Sequence, residues 1–330
     1  AMAGHLSIMG NNVKLYDRNA EKVEKINNSG IELRNALTGK ASIKATTDIC
    51  QCIEGADFIM IMTTGQAHSI VCRQMQPFLK DGQTIIIFNG NWGALEFKAI
   101  LSETLLKKSI TIAETGAMIY ICNSPEAGIV NVKQVKNKIS LSCIPAARSI
   151  EIVDRLKDIY PQFTSADSIL ETSLNNSNTI IHTPITLFNW ARIEFGQEFL
   201  FYADGASPLS VKYVEQMDKE RVKIAQAMGV KSQSVLEIIN SFWTDKHDNL
   251  YDAIHLNKSY KIAKGPQSLN HRYITEDIPF GIVPLAKLAR LFNVETPCID
   301  SLIAIVSLLS DKDLMSEGPD FSKFSLEEYI

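Results

Sequence analysis

His182 lies in a run from Leu170 to Asn189 that is apolar almost throughout, with Ile180, Ile181, Ile185, Leu187 and Phe188 around the imidazole. Asn175, Asn178 and Asn189 stand seven, four and seven positions from it. Offsets of three, four and seven return to one helix face, so the four polar groups read as a single stripe. A helix apolar nearly all round is buried, and each polar group left unpartnered there costs about 1–3 kcal/mol. A ligand cleft is one way to satisfy the stripe, and the imidazole would then serve as an acid or base near neutral pH. A core histidine satisfied by neighbouring amides is the other. Pro184 has no backbone N–H, so it either kinks the helix beside His182 or opens a new helix capped by Thr183.

A second dense stretch runs from His271 to Gly281 and holds Arg272, Tyr273, Glu276 and Asp277, with Pro279 and Gly281 marking irregular backbone. The guanidinium fork of Arg272 matches a substrate carboxylate. Asp277 is suited to orienting an imidazole and stabilising its protonated form. A surface loop with a local arginine–acid pair is the alternative, since exposed ion pairs are common and contribute little.

These residues need elements to carry them. The chain has 330 residues, 45% hydrophobic and 21% charged, with net charge −4, an ordinary globular composition long enough for about two domains. Without a long basic run, nucleic acid and anionic membrane are not expected partners. The apolar runs fall short of the roughly 20 residues that cross a bilayer. Six scattered cysteines lack the spacing of a zinc site, so no metal is expected and reduced thiols in the cytoplasm are.

Along the first half, helical and strand patterns alternate. Ala1 to Ser7 reads as a helix, Gly10–Asn12 as a turn, and Val13 to Asp17 as a strand ending in an acid, the second part of a dinucleotide-binding βαβ unit. The first strand and Gly-x-Gly-x-x-Gly loop of such a unit belong immediately upstream and are absent from the sequence as given. Asp17 is placed to meet the adenosine ribose hydroxyls, and Arg18 to meet adenine or a 2′-phosphate. Phe58 to Met62 and Thr84 to Phe88 are continuous apolar runs, as in a parallel sheet covered on both faces, and Ile110 to Glu114 is a third strand. Ligands in open α/β sheets sit beyond the carboxyl ends of the strands. That rule selects Thr63, Thr64 and His68 after one strand, Asn89 after the next, and Glu114 at the third. Further strands are expected at Ile129–Val130 and Ile139 to Ser142, and a helix from Pro145 to Tyr160. After a boundary near 164–170, helical periods dominate: Leu209 to Ala227, Ser234 to Asn240, Tyr251 to Lys258, Val283 to Leu291 and Thr296 to Leu309. Asp311 to Ile330 reads as a polar tail with a weak final anchor. The expected architecture is a doubly wound Rossmann-type α/β domain, residues 1–167, followed by an all-α domain, residues 168–330.

Several segments resemble the octopine/nopaline (opine) dehydrogenases: Gly93-Ala94-Leu95-Glu96-Phe97, Glu114-Thr115 with Ile119-Tyr120, Leu170 through Asn176 to His182 and Pro184, Phe199 to Tyr202, and above all Arg272-Tyr273-Ile274-Thr275-Glu276-Asp277-Ile278-Pro279. The resemblance spans nearly the whole chain. It implies a Rossmann domain, a helical domain, and NADH- or NADPH-dependent reduction of the imine formed from an amino acid and a 2-oxo acid, with NAD slightly favoured. It implies that His182 and Asp277 form the catalytic dyad and that Arg272 binds a substrate carboxylate; Tyr120, Asn175, Asn178 and His68 are the further residues expected in the substrate site. Thr64, Asn91–Trp92 and Asn123 depart from the family's usual proline, arginine and basic residue, which leaves the substrate pair open. A ketopantoate-reductase-like enzyme is the nearest alternative, but it calls for a lysine that Asn175 to Asn178 does not supply. A non-catalytic nucleotide-binding protein is the other. A homodimer is the default for a soluble enzyme.

Overall fold

The structure, a computed structural model, describes residues 1–329. Eleven strands lie in the first half: Lys14–Tyr16 (β1), Ile31–Asn35 (β2), Gly39–Ala41 (β3), Lys44–Thr46 (β4), Phe58–Ile61 (β5), Thr84–Ile87 (β6), Thr111–Thr115 (β7), Tyr120–Glu126 (β8), Ile129–Val135 (β9), Ile139–Ile144 (β10) and Phe163–Ser165 (β11). They form three sheets. The main one runs β11-β10-β7-β6-β5, with β5, β6 and β7 parallel and β10 antiparallel to β7. Every residue of β6 is buried, which is why its Thr-Ile-Ile-Ile sequence shows no alternation. Helices His68–Met75 and Gly93–Leu105 pack against each other beside this sheet.

The expected alternation of strand and helix is present, with three corrections. β1 pairs only with β4, in a two-stranded parallel sheet separate from the main one. The region 120–135 is a hairpin rather than one short strand. It joins β2 and β3 in a separate four-stranded sheet, and Gly128, at φ +87°, makes its turn. Third, the helix expected from Pro145 is confined to Ser149–Leu156 after a short 3₁₀ turn, and β11 follows it, pairing parallel with β10.

From Ile169 the chain is helical, with one isolated β-bridge between Leu200 and Lys264. The run around His182 is two helices, Ile169–Leu174 and Ser177–Phe188, because the Asn176 side chain accepts the N–H of Asn178 and starts the second. Pro184 lies inside that second helix rather than at its start. The break removes Asn175 from the stripe, and Asn189, at the C-terminal cap, donates to the carbonyls of Ile185 and Gly205. Long helices Pro208–Ala227 and Pro297–Ser310 complete the core of this half.

Asp277 is followed by one π-helical turn, Ile278–Ile282, in which Ile282 N–H reaches back to the Asp277 carbonyl at 3.1 Å. Pro279 cannot take part in an ordinary ladder there, and such turns recur at functional sites. The turn lies flat on helix Ser177–Phe188 only because residue 281 is glycine: a Cβ there would fall on the side chain of Thr179. The tail is better anchored than expected. Leu314, Phe321 and Leu326 are buried, Phe321 meets the Trp92 ring edge-on at 5.2 Å, and Lys98 pairs with Glu328.

Gly281→Ala is expected to destabilise the protein by about 1–3 kcal/mol, the usual cost of overpacking. Urea unfolding reads this directly, and a loss below about 0.5 kcal/mol would show that the turn does not depend on that contact.

Candidate active site

The helix Ser177–Phe188 and the π turn bring together two residues 95 positions apart: His182 Nδ1–H donates to Asp277 Oδ2 at 2.7 Å. Asp277 is 0% exposed and its other oxygen, Oδ1, has no partner, so the imidazole is what chiefly compensates a buried carboxylate. A carboxylate on Nδ1 fixes the tautomer and turns Nε2 toward whatever is to exchange a proton. Here the Tyr202 hydroxyl donates to Nε2 at 3.1 Å. A phenol can donate to the neutral ring or accept from the imidazolium, so it can partner both states. Tyr273 stacks on the imidazole, centroids 4.1 Å apart and planes 29° apart. Burial raises the phenols of Tyr202 and Tyr273, so both stay protonated through the neutral range.

Arg272 begins the short helix that ends at Thr275, just before this dyad. Its Nε lies 3.0 Å from Glu276 Oε2, and its side chain is 46% exposed, leaving the outer part of the fork open to a ligand.

The loop after β6 completes the site from the other half. Asn89, Asn91 and Trp92 have φ of +52°, +44° and +71°. Left-handed backbone costs non-glycine residues about 1–3 kcal/mol each, and is easier for asparagine than for tryptophan. Specific bonds hold it. Asn178 Nδ2 donates to Asn89 Oδ1 at 3.3 Å, Asn176 donates to Asn91 Oδ1, and Trp92 N–H donates to Ser173 Oγ at 3.0 Å. Behind the loop, Glu114 is 0% exposed and accepts from the hydroxyls of Ser173 and Thr172 and from Ala94 N–H. Burial pushes its carboxyl up to about 7, against the downward pull of those three donors.

Of the expected site residues, His182, Asp277 and Arg272 converge, and Asn178 meets Asn89 at the junction. Thr63 and Thr64 are exposed beyond β5, and Asp17 and Arg18 directly follow β1. Four expectations are corrected. Asn175 is consumed by Arg221, Gln233 and Lys231, so it braces the loop at 231–233. Tyr120 is buried, donating to Tyr160 and bonded to His5 Nδ1, on the β8–β9 side of the molecule. His68 is buried under Gly93 and edge-on to Phe97, and burial lowers it to about 4, a neutral ring in the core. Glu114 is buried, and its oxygens are taken up by three protein donors. Tyr202, Tyr273 and Glu276 were missed as site residues. The last two lie inside the Arg272–Pro279 motif, where their spacing from Asp277 is a usable signal. Tyr202 lies in the family-like segment Phe199 to Tyr202, but spacing gives no signal for its role, because its approach to His182 depends on how two separate segments fold.

Part of a dinucleotide's contact set fits this surface. The Asp17 carboxylate, which also accepts Asn19 N–H at 2.9 Å, stands at the end of β1, where ribose hydroxyls are held. Thr63 and Thr64 after β5 are exposed, whereas the turned backbone after β6 is buried. Among the described residues no group of three His, Cys, Asp or Glu side chains is placed to hold a metal ion.

Two family models match parts of the chain. Residues 165–310 match the NAD/NADP octopine/nopaline dehydrogenase alpha-helical domain, and residues 1–115 match the NAD-dependent glycerol-3-phosphate dehydrogenase N-terminus. The chain is 33% identical to an opine dehydrogenase of Arthrobacter sp. (strain 1C) over 330 residues, covering 99% of this chain and 92% of that protein. Its fold is similar to octopine dehydrogenase solved with NADH and L-arginine (TM-score 0.75, 20% identity, 94% of this chain and 86% of that one). It is also similar to yersinopine dehydrogenase solved with NADP⁺ (TM-score 0.70, 13% identity, 96% and 92%).

The raised Glu114 carboxyl has a consequence for stability. Its folded value, about 7, exceeds the ordinary 4.5, so the folded state binds the proton more tightly. That contribution is fully present below pH 4.5 and is lost as pH rises through 7, amounting to about 3 kcal/mol. Glu114→Gln should abolish this slope. Urea unfolding of both proteins at pH 5 and pH 8 checks it, and a difference between them that does not change with pH would refute it.

Proposed function

The chain belongs to the octopine/nopaline (opine) dehydrogenase family, and from that premise we propose that His182, Asp277 and Arg272 carry the chemistry of an enzyme that joins an amino acid to a 2-oxo acid. It is an NAD(P)-dependent oxidoreductase acting on CH–NH bonds, performing opine-type reductive condensation. The proposed division assigns the cofactor to residues 1–167 and the substrates to residues 168–330. The observation that carries the reading is the buried 2.7 Å bond between His182 and Asp277, five residues from a half-exposed arginine fork.

In this reading Arg272 holds the carboxylate of the 2-oxo acid as a bidentate pair, which fixes the carbonyl carbon in place. Attack by the amine and loss of water both require a proton on the carbonyl oxygen. His182 supplies the first from Nε2, exchanging its bond with Tyr202 for one to the substrate, recovers a proton from the nitrogen of the added amine and gives it to the hydroxyl that leaves as water, while Asp277 stabilises the ring as its charge changes. When bound, the reduced nicotinamide supplies the hydride that converts the C=N carbon to the secondary amine. Asp17 and Arg18 hold the adenosine end, and Thr63, Thr64 and Asn89 line the nicotinamide end. Asn178 keeps the Asn89 loop in register with the histidine helix. Six free cysteines suit a reducing cytoplasm, and among the described residues no helix is long and apolar enough to cross a membrane.

Oxidation of NADH and NADPH, screened over amino acids paired with pyruvate, glyoxylate, oxaloacetate and 2-oxoglutarate, identifies the substrates. Cofactor oxidation that needs only the 2-oxo acid would instead point to a simple 2-oxo acid reductase. With the best pair, His182→Ala should lower kcat by about 10²–10⁴, and a variant turning over at the wild-type rate would end the dyad assignment. Arg272→Lys should raise KM for the 2-oxo acid at least tenfold, because an ammonium lacks the fork. An unchanged KM would remove Arg272 from that role.

A further inference from the structure

A second junction between the halves lies beside Arg272. Gly65, directly after Thr63–Thr64, donates its backbone N–H to Glu276 Oε1 at 3.2 Å. The other oxygen of the same carboxylate faces Arg272 Nε at 3.0 Å. Glu276 is 4% exposed, so one buried acid spans from the loop beyond β5 to the guanidinium. Two contacts flank the link. The Gln66 amide donates to the Thr275 carbonyl, and the Phe280 ring covers Gly65 so closely that a Cβ would lie 2.7 Å from its Cγ.

This arrangement has a mechanical consequence. A buried carboxylate is costly unless compensated, and the Gly65 N–H and Arg272 are what face its two oxygens. Glu276 must therefore follow both, and a shift of residues 63–66 moves the pairing on Nε. Pairing on that side leaves the terminal nitrogens of the fork, which donate to no other group among the described residues, free to take a ligand carboxylate. The state of the loop thus sets where the fork points.

We propose that Glu276 is a positioning residue that couples the loop beyond β5 to Arg272, so that the carboxylate of the 2-oxo acid is held more tightly when the nicotinamide cofactor occupies that loop. The inference rests on the roles given above to Arg272 and to Thr63–Thr64. Coupling of this kind is reciprocal: the 2-oxo acid must raise cofactor affinity by the same factor, ordinarily about 5–150-fold.

The test uses the full chain, pyruvate as the 2-oxo acid, NADH, and no amine. Calorimetric titration gives pyruvate affinity with and without saturating NADH, and NADH fluorescence gives the reciprocal ratio. Wild type should show a ratio of at least about 5. Glu276→Ala should bring it to within about twofold of 1. Glu276→Gln, which keeps an acceptor for Gly65 but loses the charge on Arg272, should at least halve it. In turnover, both variants should raise KM for the 2-oxo acid about fivefold or more while kcat changes less than about threefold, a split that general damage to the His182–Asp277 pair would not give. A wild-type ratio near 1, or either folded variant keeping the wild-type ratio, overturns the inference. If Glu276→Ala does not fold, the isosteric glutamine variant decides. Turnover of wild type with an amino acid and a 2-oxo acid tests the function separately, so the two readings fail independently.

Discussion

The bond between His182 and Asp277 constrains more of this molecule than its length implies. A carboxylate with no exposed surface and one oxygen without a partner is tolerable only beside a group able to bear positive charge. The imidazole is that group, and it works only if the histidine helix and the π turn stay in register. Thr179 against Gly281, Tyr273 over the ring and Tyr202 on Nε2 all serve that register. The tail contributes from outside: Gly318, at φ +72°, lies so close to the Pro279 carbonyl that a side chain has no room there.

The nucleotide-type half meets this assembly through two loops at the carboxyl ends of neighbouring parallel strands. After β6, Asn89, Asn91 and Trp92 hold unfavourable backbone conformations because Asn178, Asn176 and Ser173 reward them with hydrogen bonds. After β5, Gly65 is bound to Glu276 and covered by Phe280. Loops that would otherwise be free are tied to the helices that bear the dyad and Arg272. Local strain there is offset by contacts across the junction, which keeps the reacting groups of both halves in a common frame.

Several elements were legible in the residues because local rules act on them strongly. The apolar runs at β5 and β6 and helix Val283–Leu291 follow from burial in a covered parallel sheet and from helical period. The hairpin β8–β9 was not legible, since Tyr120–Glu126 contains Asn123, Ser124 and Pro125, residues that avoid strands. Its pairing partner is β2, 97 residues earlier in the chain at Glu32↔Ile129. The polar stripe around His182 was half legible. Asn178 does face the junction, but one capping bond from Asn176 divided the run and sent Asn175 to Arg221.

The sequence by itself determined which groups were available: an imidazole in an apolar helix, an arginine and two acids in one short irregular stretch, and strands whose ends present loops. Those follow from residue type and spacing, which act over a few bonds. Only the tertiary structure decided their partners. It closed Glu114, His68 and Tyr120 into the interior, brought Tyr202 onto the imidazole, and set Glu276 between Gly65 and Arg272. Such choices depend on which of many distant segments share a buried junction, and there the cost of an unpaired polar group, rather than local propensity, selects the arrangement.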